Sequence, residues 1–524
     1  MSPDAREQPP AGDEPPEHAA LSRRIFLSTF SNYVGQIVTI GVWFLLTPFI
    51  LDRLGATQYG LWVLVASFLA YGTLLDLGVN EAVVKYVAEH RARGDSEAAS
   101  GLIATTLRIY MAVGLGVFIL GFLLAGPLIS IFNLPASEHD TGIWLVRLTA
   151  LGLAVELPAG TAFAVLRGLH RFDLMNLIGS AAILTLAAGT AIVLLLGGGV
   201  LAMAAITVPL TLVWQIPAIH AIHRTAPDLR FGLRGGQRGN LRTVASFSSA
   251  LFGLNVADVI KRKTDEIVIA ASLPVAAVAP YSVARRVSEL PEMLTYQFAK
   301  VLMPLASQLH AEGDRGMLRA IYVNSTRLAL GIFVAVGAAM VVFAEPLLVA
   351  WVGRAYAKDS AVVVILTGAA LAEVAMWPAI YMLQGMDRHR PLVIFAVGSA
   401  ILNLGLSIWL VGPLNVKGVA LATLIASGLQ MLLVLPYAMR VNGVRATTLL
   451  RDVLVPVALP LLPAAALLVA ERELLAPSNL VTIALAGMAG AAVYGACFLA
   501  FPQAVRERAL LRDGLGRLRA VRSP

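Results

Sequence analysis

The feature that most constrains this chain is a recurrence. Uninterrupted apolar stretches of about 20 residues or more follow one another along almost its whole length, each long enough to cross roughly 30 Å of hydrocarbon as a helix. Backbone N–H and C=O groups in lipid must be satisfied within the segment, so such stretches fold as helices. Composition agrees, with 58% hydrophobic and 14% charged residues, where a soluble domain carries about a quarter charged. An all-α membrane protein is expected.

The expected spans are 25–51, 58–78, 102–126, 141–166, 174–196 and 199–222, then 244–272, 276–303, 320–343, 361–383, 391–412 and 415–438, with a final pair at 453–470 and 479–501, about fourteen transmembrane helices. They form an N-lobe (25–222) and a C-lobe (244–438) of six helices each, plus two C-terminal helices (453–501). Between the lobes, 223–243 holds five arginines with glycines and a proline and reads as a basic cytoplasmic linker. Residues 1–24, rich in Pro, Glu and Asp, are expected to be a disordered cytoplasmic tail. Residues 503–524 alternate arginines with leucines, the pattern of a basic amphipathic cytoplasmic tail on anionic lipid.

Of 40 Lys and Arg, external segments hold only Arg53, Arg354, Lys358, Lys417 and Arg472 if the N-terminus is inside, which places both termini in the cytoplasm. Ser22-Arg23-Arg24-Ile25-Phe26-Leu27 resembles a twin-arginine signal. The long apolar run behind it lacks a cleavage site, and a basic anchor accounts for it.

The two six-span sets repeat at a shift near 219 residues. Gly94-Asp95 falls on Gly313-Asp314, Arg108 on Arg327, Gly179-Ser180 on Gly398-Ser399 and Gly199-Val200 on Gly418-Val419. At a shift of 217, Glu156 falls on Glu373, Gly168 on Gly385 and Arg171 on Arg388. Six spans per copy is an even number, so the copies are parallel repeats about an axis along the membrane normal, with the substrate path between them. Arg93-Gly94-Asp95 is thus an interhelix turn, not an adhesion motif.

An ionised group at mid-bilayer costs roughly 2.5 kcal/mol or more, so residues that break the spans must face protein, water or ligand. Glu156 and Glu373 lie near mid-membrane, Arg108 and Arg327 nearer the cytoplasm. Two readings stand: structural ion pairs, Arg108 with Glu156 and Arg327 with Glu373, or a wet cavity in which arginines take phosphate and glutamates take sugar hydroxyls or a coupling cation. The second set adds Asp258, Lys261-Arg262-Lys263, Asp265-Glu266, Arg285-Arg286, Glu289, Glu292 and Lys300. Three consecutive cations spread over about 200° of a helix and cannot all face one cavity. The candidate substrate cavity comprises Arg108, Arg147, Glu156, Lys261, Lys263, Asp265, Arg285, Arg286, Arg327 and Glu373.

The chain has one cysteine, Cys497, and shows no GxxxxGK[ST] loop, HExxH or metal-spaced Cys/His cluster. External connections are too short for a catalytic domain. No enzyme, cofactor, metal or nucleic-acid partner is expected, and coupling to Na⁺ or H⁺ stays open.

Four stretches in this order resemble the Wzx-type polysaccharide and O-antigen flippases of the multidrug/oligosaccharidyl-lipid/polysaccharide (MOP) exporter superfamily. They are Leu54-Gly55 through Tyr59-Gly60-Leu61-Trp62, Leu75-Asp76-Leu77-Gly78 with Ala82 and Lys85-Tyr86-Val87-Ala88, Gly94-Asp95, and Thr264-Asp265-Glu266-Ile267-Val268-Ile269 through Pro280-Tyr281-Ser282-Val283-Ala284. Ala279-Pro280 stands where such families often show Gly-x-Tyr. The resemblance implies two six-helix bundles plus two helices, MATE-like, in a bacterial inner membrane. It implies translocation of undecaprenyl-pyrophosphate-linked oligosaccharide by alternating access for exopolysaccharide, capsule or O-antigen assembly. Membrane lipids, a polysaccharide polymerase and export machinery are the implied partners. A multidrug/cation antiporter, a peptidoglycan lipid-precursor flippase and a nontransporting scaffold are the alternatives.

Overall fold

A computed structural model describes residues 16–76, 78–233, 259–504 and 508. Among them are helices and turns and no strand, as backbone satisfaction in lipid demands. Ten helical stretches are long and apolar enough to cross a membrane. Two of the ten each cover a pair of expected spans. Helix α1 (Pro16–Gly72) runs through a kink at Gly55 (φ 70°, ψ 172°), and a later helix, Arg390–Asn442, through one at Asn415 (φ 51°, ψ −138°). A helix over 259–272 and the charge-rich helix Val278–Lys300 complete agreement with the fourteen expected.

Residues 16–24, expected to be tail, are instead the first turns of α1. Pro16 sits at the first helical position, where its fixed φ and missing N–H suit a helix start, and Glu17 to Leu21 are good helix formers. Residues 1–15, 234–258 and nearly all of the basic tail lie outside the described residues. At the linker's start, Arg91 contacts the Asp228 carboxylate at 2.7 and 2.8 Å, and the Ser96 hydroxyl donates to it. Those two partners, Ser96 first, hold Asp228 below the usual carboxylate range.

The repeat is legible in the turns. Helix α2 (Val79–Ala92) ends at Gly94 (φ 72°), after which the Asp95 carboxylate accepts from the Ala98 N–H at 2.9 Å to open α3 (Ser96–Ile129). Further on, Leu302–Glu312 ends at Gly313 (φ 76°), and Asp314 accepts from the Met317 N–H at 2.8 Å to open Arg315–Val342. Glycine takes the left-handed cap without a Cβ penalty and aspartate satisfies an orphan N–H of the next helix. A close approach repeats too. A Cβ on Gly168, the end of α4 (His139–Gly168), would lie 3.0 Å from the Val84 carbonyl oxygen, and one on Gly385 2.2 Å from that of Met303.

The remaining helices are α5 (Phe172–Leu195), α6 (Val200–Ala205), α7 (Thr207–Thr225), α8 (259–272), α9 (Val278–Lys300), α10 (Leu302–Glu312), α11 (Arg315–Val342), α12 (Ala344–Val352), α13 (Ser360–Gly385), α14 (Arg390–Asn442), the short α15 (Ala446–Leu449) and α16 (Val455–Ala458), α17 (Leu461–Leu475) and α18 (Leu480–Ala500). A π-helical turn, Leu450–Leu454, joins α15 to α16. The C-terminal pair packs on α11, where Gly331 admits the Phe498 ring and Gly487 meets Ala339. Small residues permit such close helix approach in lipid. One buried apolar cluster runs through Tyr322, Leu330, Met376, Val453, Val457 and Phe498.

Two compact units divide the chain: Met1–Leu46 with Gly78–Leu120 and Ala150–Ser249, and Thr47–Leu77 with Gly121–Thr149 and Ala250–Pro524. The division cuts across the expected lobes, because one end of the first four spans clusters with the second half. Within the second unit, Asn133 exchanges main-chain bonds with Ala270 (3.1 Å) and Val275 (3.2 Å) and donates its amide to the Ala271 carbonyl at 3.0 Å.

Candidate functional site

The second unit holds a charged cavity. Its walls are α8, α9, α13 and the latter part of α14, and each helix contributes one face. On α9 the wall is Arg285, Ser288, Glu289 and Glu292, an i, i+3, i+4, i+7 stripe; on α13 it is Leu366, Ala369, Ala370 and Glu373 at the same spacing; Thr423 and Ser427 of α14 are one turn apart. Lys261 and Arg262 enter from α8. The cavity measures about 60 Å³, room for a few waters or one small hydrated ion.

Every cation lining it is matched by an acid. Lys261 pairs with Glu373 and also donates to the Gln430 side-chain oxygen at 2.8 Å, while Ser427 donates to Glu373 at 2.9 Å. Arg262 reaches Glu292 at 3.3 Å. Arg285 bonds Glu289 at 2.9 Å one turn along α9 and lies 3.5 Å from Asp265. Asp265 is fully buried. Its carboxylate accepts from the hydroxyls of Tyr281, Thr423 (2.9 Å) and Ser407 (3.5 Å). Asn403 donates to Thr423 at 3.0 Å. Among the described residues, Glu266 Oε2 and Asn403 Oδ1 are buried with no hydrogen-bond partner. A cluster that dense stands in a membrane only when each charge is paired and hydrogen-bonded.

Of the ten residues expected at a site, Lys261, Arg285 and Glu373 line this cavity and Asp265 lies directly behind Arg285. Lys263 is not in the lining, as the 200° spread of three successive cations requires. Arg286 turns away and donates to the Thr47 hydroxyl at 3.0 Å. Arg147 sits between the rings of Phe122 (4.3 Å to the centroid) and Trp144 (5.0 Å), a cation–π clamp. Arg327 is buried, donating to the Asp452 carbonyl and the Asn324 side chain at 3.1 Å each. The expected pair of Arg327 with Glu373 is therefore not formed, because Arg327 points at the C-terminal helices and the acid has found Lys261. Arg108 is exposed, with Nε donating to the Ala104 carbonyl at 3.1 Å, and Glu156 is exposed with no ion pair or hydrogen bond among the described residues. The hydroxyls of Ser288, Thr423 and Ser427 and the amide of Gln430 were not singled out from the sequence. The spacing Thr423, Ser427, Gln430 along an apolar span carries the signal for three of them.

The family model described as "Polysaccharide biosynthesis protein" matches residues 50–361. No curated protein matches the chain in sequence. Among solved structures, the lipid II flippase MurJ in an inward closed conformation is similar with a TM-score of 0.72 at 13% identity, covering 90% of this chain and 99% of its own. An inward-facing multidrug resistance MATE transporter of the MOP superfamily gives 0.65 at 15%, with 79% and 94% covered. A MOP superfamily transporter from Pyrococcus furiosus, whose description notes a binding pocket of reverse polarity, gives 0.57 at 14%, with 79% and 95% covered. The fold is MOP-like, all-α and multi-pass.

Proposed function

Since the chain belongs to the polysaccharide biosynthesis protein family, we propose that it is a flippase carrying undecaprenyl-pyrophosphate-linked oligosaccharide across a bacterial inner membrane, by alternating access, with both termini cytoplasmic. The observation that carries this reading beyond the family is the ion-paired cavity of the second unit. A bundle that only held a membrane complex together would gain nothing from three charge pairs around water-sized space within its spans.

The pairing also suggests how transport is driven. Lys261, Arg262, Lys263 and Arg285 face Asp265, Glu266, Glu289, Glu292 and Glu373. With all of them ionised the acids are in excess by one, which favours uptake of one proton or Na⁺ over an anion. A cation taken by Glu373 or Glu292 would release Lys261 or Arg262, whose charge could then meet the pyrophosphate while the polyprenyl tail stays in lipid. The arginines expected to take phosphate, Arg147 and Arg327, are committed to aromatic and main-chain partners, which leaves that role to the cavity cations. The same acidic excess favours a second reading, antiport of cationic compounds.

A deletion strain separates the two. The flippase reading expects loss of surface polysaccharide with lipid-linked oligosaccharide trapped on the cytoplasmic side. Intact polymer with new sensitivity to cationic drugs would overturn it in favour of the antiporter.

A further inference from the structure

The repeat places two equivalent helix faces in different company. Along α11, Arg327, Leu330, Gly331 and Val334 form one stripe covered by the chain's own C-terminal helices. Arg327 donates to the Asp452 carbonyl, Leu330 is 6% exposed and Phe498 seats against Gly331. The Asp452 carbonyl lies in the π-helical turn Leu450–Leu454, where the i→i+5 pattern widens the helix and loosens carbonyls from their regular partners. At the shift of 219 residues the same stripe on α3 is Arg108, Met111, Ala112 and Leu115. Here Arg108 is exposed, Met111 is 50% and Leu115 59% exposed, and the stripe continues into Ile119 at 47%.

We propose that this face of α3 docks a transmembrane helix of a different membrane protein, one that presents a carboxylate or a loosened main-chain carbonyl at the depth of Arg108. The second half is the precedent for the chemistry: the same residue types at the same register take a helical pair whose acceptor meets the arginine. Charge complementarity excludes a second copy of this chain. A parallel twofold pairing through α3 would set Arg108 against Arg108 at equal depth, like charge on like charge in low dielectric. Lipid tails cover Met111 and Leu115 well enough but offer no acceptor for a guanidinium.

The test uses the full chain in the organism that encodes it, with the photo-reactive p-benzoylphenylalanine replacing Met111, Leu115 or Ile119 in turn. Leu184 and Leu212, also exposed on apolar helices, serve as controls. The expected result is one protein adduct common to the three stripe positions and absent at the controls. Its cross-linked peptide, read by mass spectrometry, belongs to a transmembrane helix of another protein, and its yield falls at least tenfold when Arg108→Leu is added. Leu115→Trp, a change lipid accommodates and a docked helix does not, abolishes the adduct at Met111 without loss of membrane insertion, which guards against misfolding of the arginine variant. Lipid adducts alone, an adduct with a second copy, equal yields at the controls, or a yield unmoved by both substitutions would overturn the proposal.

Discussion

Glu156 and Glu373 hold equivalent places in the two halves, each twelve residues before a glycine that packs against a neighbouring main chain. Glu373 lies in the charged cavity between Lys261, Ser427 and their neighbours, its side chain 20% exposed. Glu156 is exposed and makes no ion pair among the described residues. The backbone positions were duplicated, then, but the chemistry around them was not. The first half has no counterpart of Lys261: the positions 219 and 217 residues earlier are Val42 and Phe44, inside an apolar run from Val42 to Leu46. What separates the halves is the basic and acidic sequence of α8 and α9 rather than the acid itself.

The largest expected effect comes from stranding one member of the second half's pair. Lys261→Met leaves Glu373 buried with hydroxyl and amide neighbours only, and removing one partner of a buried pair costs about 3 kcal/mol or more. The melting temperature should fall and transport should be lost, while Glu156→Gln changes stability by less than about 0.5 kcal/mol. The double variant Lys261→Met/Glu373→Leu should regain most of the lost stability, since an apolar pair of similar volume is often no worse than the ions. Equal effects of Lys261→Met and Glu156→Gln on melting would break the comparison.

How much of this was open to reading follows from the same residues. Fold class and span positions were legible because apolar length is a local property that lipid enforces. The repeat was legible because glycine turns and intramembrane charges are rare enough to align. The continuity of α1 through Gly55 and of α14 through Asn415 was not, since a kink between two spans leaves both apolar runs unchanged. At the site, the cost of burying charge pointed to Lys261, Asp265, Arg285 and Glu373. Partner choice stayed hidden. Arg327 is satisfied by a main-chain carbonyl in a π turn, which no side-chain pattern announces, and Glu373 meets a lysine 112 residues away.

A smaller difference should appear at the two glycines. A Cβ at Gly385 would stand 2.2 Å from the Met303 carbonyl oxygen and 3.1 Å from the Ser307 nitrogen, both main chain, so α10 and α13 must part to admit it. At Gly168 the nearest atoms are the Val84 oxygen at 3.0 Å and the Val87 side chain at 3.1 Å, which need to give by only tenths of an ångström. Gly385→Ala is therefore expected to destabilise by about 2 kcal/mol and Gly168→Ala by about 1 kcal/mol or less. The order of the two melting temperatures checks it, and a reversed order would mean that the closer packing lies in the first half.

The smallest effects belong where the halves agree. Gly94 and Gly313 have φ of 72° and 76°, and an added Cβ at either would meet nothing within 4 Å. Alanine there should act through backbone strain alone, about 1 kcal/mol at each site. Asparagine, which visits the left-handed region more readily, should cost less than alanine at both. Melting of the four single variants decides between two accounts of the repeat. Matched losses at Gly94 and Gly313 mean that the turns are interchangeable scaffolding and that the halves diverged only in the side chains facing their interiors. A loss confined to one site would place part of the asymmetry in the backbone itself, before any charge is considered.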